Sequence, residues 1–72
     1  MKRYAIKYPD GKIDQDYIGY SKSDVWLERG FWLMVSIYGQ EWKDKFWKRL
    51  TPSINDSKKK GYSIVSAKIV ED

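Results

Sequence analysis

Apolar and polar residues alternate strictly at the start of the chain, with Tyr4, Ile6 and Tyr8 on one side and Arg3 and Lys7 on the other. A period of two is that of a half-buried strand. Pro9-Asp10-Gly11-Lys12 follows. Proline presets φ, aspartate can bond its own backbone ahead and glycine supplies positive φ, so the four residues predict a tight turn. Ile13 to Gly19 then reads as the returning strand, with Asp14 and Asp16 pointing the same way. The pattern predicts a β-hairpin from Tyr4 to Gly19.

The period then changes to three and four. Ser21-Lys22-Ser23-Asp24 is a helix start, a hydroxyl cap followed three residues later by a carboxylate that can reach back. Leu27, Phe31, Met34/Val35, Tyr38 and Trp42 keep one stripe and predict helix. Gly30 is unfavourable inside it, which leaves a kink or break open there. Gly39 suits a C-cap. A second helix is expected from Gln40 to about Leu50, closed by Thr51-Pro52, and Ser53 can cap one further turn through Lys60, ended by Gly61. Tyr62 to Val70 reads as a last strand, with Val65, Ala67 and Ile69 on one face and Tyr62, Ile64 and Val70 on the other. Both faces are partly apolar, which suits a central strand. The expected fold is α+β: a hairpin, two helices and a C-terminal strand in a three-stranded antiparallel sheet with helices on one face.

Composition narrows the function more than the fold. The 72 residues make one small domain, 1–72, whose margin between burial and conformational entropy is thin. Cysteine and histidine are both absent, which removes disulfides, thiolate metal sites and the commonest general base. No cofactor, metal or catalytic set is expected, and the chain reads as non-enzymatic. The staple must be aromatic: four Trp, six Tyr and two Phe are more rings than a small core usually holds. No apolar run reaches membrane-spanning length, and cysteine usage suits a reducing cytoplasm.

The net charge of +4 is unevenly placed. Residues 41–60 carry seven basic and three acidic groups, whereas the remainder carries seven of each. Within that quarter, Trp42-Lys43-Asp44-Lys45-Phe46-Trp47-Lys48-Arg49-Leu50 concentrates rings and cations. On a helix, Trp42, Phe46 and Leu50 share a stripe with Trp47 beside it, so a plain core with a solvated basic face accounts for much of the pattern. The functional reading makes Trp42, Lys43, Trp47, Lys48 and Arg49, with Lys58, Lys59 and Lys60, a partner-binding patch. Such a patch fits an acidic protein partner, for which Trp and Arg are common anchors. It also fits nucleic acid, where charge gives affinity and a ring gives stacking. The surplus rings are equally compatible with a monomer or a weak homodimer.

Three other groupings carry less. Asp14 and Asp16 share a strand face, but so near a turn they are expected in water, offsetting Lys or Arg on the neighbouring strand. Tyr17-Ile18-Gly19 and Ile37-Tyr38-Gly39 lack the order and the partnered Arg and Glu of GIY-YIG nucleases. Asp10-Gly11-Lys12-Ile13-Asp14 would need ligands at Ile6, Tyr8 and Tyr17 to hold calcium, so it is a turn.

An opening strand, the 9–12 turn, the 21–24 helix start, scattered helical Trp and Lys59-Lys60-Gly61-Tyr62 before an Ile/Val strand together form a recognisable layout. It resembles small uncharacterised proteins encoded by phages and prophages. The resemblance implies the context of a small accessory or host-takeover factor. Taken with the basic aromatic patch, it leads to an expected host protein partner first and nucleic acid second, in a bacterial host's cytoplasm; membrane binding is not expected, because the hydrophobic face is needed for the core. The resemblance carries over no functional residues.

Overall fold

The computed structural model describes residues 2–67. The element order is β1 (Arg3–Lys7), α1 (Lys22–Val25), a π-helical turn (Trp26–Gly30), α2 (Phe31–Tyr38), α3 (Gln40–Phe46), α4 (Leu50–Lys59) and β2 (Ser63–Ala67). The class is α+β, with β1 and β2 antiparallel and Ala5 opposite Val65 at the centre of the register. The part of the last strand expected beyond Ala67 lies outside the described residues.

The turn forms as its chemistry dictates. Gly11 takes φ +91°, the Lys12 amide donates to Asp10 Oδ1 at 2.9 Å, and Gly11 N donates to Tyr8 O at 2.9 Å. The expected third strand does not form. Residues 13–19 meet β1 only at two isolated bridges, Tyr4 with Gly19 and Lys7 with Ile13. Between those bridges, two residues of β1 face five of the returning segment, so no continuous ladder can span them. The surplus residues bulge because Asp14 and Tyr17 bond to the helix instead, the first to Arg29 and the second to Asp24. Among the described residues the sheet is therefore two-stranded.

Ser21 caps α1, accepting from the Asp24 amide at 3.1 Å, while the Asp24 carboxylate accepts from Tyr17 Oη. From Lys22 the chain stays helical to Tyr38, without a break at Gly30, which has φ −60° and ψ −47°. What occurs there is a π turn, in which Phe31 N–H donates to the Trp26 carbonyl five residues back. A side chain at position 30 would bring a Cβ within 2.7 Å of Trp26 Cε3, so the indole lies on the glycine. The extra residue in the turn rotates the later stripe by about 100° relative to the earlier one. That rotation moves Val25 and Trp26 inside and leaves Leu27 52% exposed, against the single stripe the sequence predicts. Tyr38, farther along the same stripe, is exposed as well.

Gly39, at φ +85°, ends α2 and turns the chain into α3. Phe31, Met34, Trp42 and Phe46 then close the helical core, while Ala5, Ile6, Val25 and Trp26 are buried where the helix start meets β1. The second helix does not reach Leu50. It stops at Phe46, Trp47 leaves at ψ 126°, and Lys48 takes φ +60°. Thr51 and Pro52, expected as terminators, lie in the first turn of α4. Proline is tolerated there because the first amides of a helix have no intrahelical partner. Ser53 is not a cap; it sits inside α4, its hydroxyl donating to the Leu50 carbonyl at 2.7 Å.

Candidate docking site at the helix junction

The break between α3 and α4 builds the site. Because Trp47 and Lys48 depart from helical geometry, α4 swings away and leaves a cleft of about 310 Å³ between its first turn and the helical rod. Leu27, Phe31, Phe46 and Leu50 give it apolar walls; Trp47, Lys48 and Arg49 form one side. Among the described residues no carboxylate lines it. The volume is at the low end for ligand pockets, about 300–1,000 Å³, a size suited to a bulky side chain.

A ladder of rings leads from the core to this opening. Phe31 meets Trp42 at 5.2 Å on the inner side and Trp47 at 5.8 Å and Trp32 at 5.3 Å on the outer side. The two outer indoles touch each other edge-on at 6.1 Å. Trp32 is 45% and Trp47 48% exposed, a large apolar outlay left in contact with water. The Lys43 ammonium lies 5.4 Å from the centre of one ring and 5.3 Å from the other, within cation–π reach of both. Lys48 and Arg49 are exposed beside them.

The residues expected to bind a partner separate into three groups. Lys43, Trp47, Lys48 and Arg49 come together here. Trp42 does not belong, being 7% exposed and donating its indole N–H to Asp56 Oδ2 at 2.8 Å. Lys58, Lys59 and Lys60 lie at the opposite end of the ten-residue α4, about 15 Å along its axis. Cations in a last turn favour the helix dipole. Lys60 also pairs with Asp56 at 2.7 Å and lies 4.8 Å over the Tyr38 ring. The sequence pattern singles out neither Trp32 nor Leu27. Trp32 falls off the apolar stripe, a legible sign of exposure; Leu27 falls on it, and only the π turn brings it to the cleft.

A second polar cluster lies on the other flank and is a closed one. Asp14 is 2% exposed and accepts from Arg29 Nε at 2.8 Å, Arg29 Nη2 at 3.3 Å, Tyr8 Oη at 2.9 Å and the Asp16 amide at 3.3 Å. The expectation of water-held carboxylates is right for Asp16 and wrong for Asp14, whose cation comes from the π turn and not from a strand. Burial pushes the Asp14 carboxyl up, but Arg29, Tyr8 and the Asp16 amide outweigh it, and the group titrates below the ordinary aspartate value. The same bond to Asp14 raises Arg29, while burial and then Asp14 raise Tyr8. Three of these bonds fall on Oδ1 and one on Oδ2, and together they hold the carboxylate against the helix. Among the described residues no group of three or more carboxylates could hold a metal ion, and no helix is long and apolar enough to cross a membrane.

Comparison with protein-family models, with curated proteins and with solved structures finds no match to this chain.

Proposed function

We propose that this protein works by binding and not by catalysis, as a phage-type accessory factor that captures a macromolecule of a bacterial host, a protein ahead of a nucleic acid. The observation that carries the reading is the pair of half-exposed indoles, Trp32 and Trp47, held around Lys43, with Trp47 lining an apolar cleft. Exposed aromatic anchors beside a pocket and near an Arg are the usual core of a protein interface. Nucleic acid is the weaker partner on two grounds. Lys43 lies over both indole rings, where a base would have to stack, and the length of α4 separates Lys48 and Arg49 from Lys58 and Lys59, so they form no continuous track for phosphates.

Affinity capture from a bacterial lysate, with and without nuclease, tests the reading with wild type beside Trp47→Ala/Lys48→Ala. A nuclease-resistant protein held by wild type and lost by the variant, with both chains showing the same circular dichroism, is the expected result. Capture that vanishes with nuclease moves the reading to nucleic acid. Capture unaffected by the double substitution removes this surface from the function.

A further inference from the structure

We infer that the cleft takes an acidic segment of a partner protein, which inserts one bulky apolar side chain and sets its flanking carboxylates on Lys48 and Arg49. This rests on the protein-binding reading above and names the chemistry of the partner. Three observations lead to it.

The first is charge complementarity. Two cations and no anion line the cleft, and neither cation is committed elsewhere: the ion pairs among the described residues are Arg29 with Asp14 and Asp16, and Lys60 with Asp56. An apolar side chain entering this mouth with carboxylates beside it satisfies both halves of the lining, whereas a basic segment meets like charge at the rim.

The second is shape. The walls combine aliphatic Leu27 and Leu50 with the rings of Phe31 and Phe46, and the volume is about 310 Å³. That lining receives a Trp, Phe or Leu side chain from the end.

The third is backbone strain. Lys48 is the one non-glycine residue among those described with positive φ, at +60°. Glycine or asparagine takes that conformation at less cost. A lysine kept in the left-handed region, at the rim of a pocket, is a place where the local sequence serves something other than the fold.

Selection of random dodecapeptides by display on the folded protein tests the proposal, with the Lys48→Glu/Arg49→Glu variant selected in parallel. Both side chains are exposed, so the variant keeps its fold, which its melting temperature verifies. Wild type is expected to enrich peptides with Asp or Glu flanking a single Trp, Phe or Leu. Binding of one such peptide, read by Trp emission, should weaken at least about tenfold on charge reversal, the equivalent of about 1.4 kcal/mol. Enrichment of neutral apolar peptides that bind both chains equally overturns the acidic-segment proposal and leaves protein binding standing. No enrichment, with steeply salt-dependent binding of an oligothymidylate, overturns both. Concentration-dependent sedimentation abolished by charge reversal assigns the cleft to a second copy and overturns the proposal as well.

Discussion

The two flanks of this small protein treat polar and aromatic groups in opposite ways. At the Asp14 corner every charge is answered: a buried carboxylate receives a two-pronged guanidinium, a phenol and an amide, and the loop is tied to the helix. At the α3–α4 junction the accounts stay open, with two indoles half in water, cations without carboxylates and a strained lysine. A chain of 72 residues has little stability in reserve, roughly 4–11 kcal/mol at typical values per residue. Rings and strain left outside the core are therefore informative. The closed flank ties the loop to the helix, and the open one is the surface proposed above to meet a partner.

Substitutions can separate the two. The largest effect is expected inside the ring ladder, where Trp42→Ala removes a buried indole and its bond to Asp56. The loss should be about 3–5 kcal/mol, enough to unfold much of the population in a thermal melt. Next comes the closed corner. Arg29→Met strands the buried Asp14 carboxylate and should cost about 2–3 kcal/mol in urea denaturation, less than a fully enclosed pair because Arg29 is partly exposed. A loss as small as that of an exposed surface pair would mean the corner is not a structural lock.

Acid should find the same lock. The Asp14 carboxyl is lowered in the fold by Arg29, Tyr8 and the Asp16 amide against the cost of burial, and Asp56 by Lys60 and then Trp42. Both bind their protons less readily folded than unfolded, so their contribution is complete above the unfolded value of about 3.9 and is lost as pH falls below it. The melting temperature should hold steady down to about pH 5 and then decline, with a shallower decline in Arg29→Met. An unchanged acid slope in that variant would count against the Asp14 pairing.

The smallest stability effects belong to the open flank. Trp47→Ala gives up a half-buried ring, about 1 kcal/mol, or roughly 4–8 °C in Tm. Lys48→Gly relieves positive φ at some entropic cost and should raise stability by about 0.5–1 kcal/mol while weakening partner binding. A destabilised Lys48→Gly would remove the argument from strain.

What the sequence disclosed, and what it concealed, follows from the range of the forces involved. Local chemistry was legible: the Pro9–Lys12 turn, the Ser21 cap and the Gly39 stop all depend on residues within four positions of one another. The chemistry of Lys43, Trp47, Lys48 and Arg49 was legible too, because rings and cations crowd together in the chain. Hidden features came from distant packing. The π turn arises where Trp26 lies on Gly30, and it reverses the burial of Leu27. Asp14 leaves the expected strand for a guanidinium fifteen residues away. The early end of α3 at Phe46 opens the cleft itself, and nothing in a stripe of Trp42, Phe46 and Leu50 announces it.

The most direct trial of an open, cation-rimmed apolar cleft is a titration of native protein with anilinonaphthalene sulfonate, a fused aromatic bearing one negative charge. Saturable dye fluorescence below the melting transition is expected for wild type, greatly reduced in Trp47→Ala and in Lys48→Glu/Arg49→Glu. A dye that stays dark until the protein unfolds, or that brightens equally in all three chains, would mean the junction is as closed as the Asp14 corner.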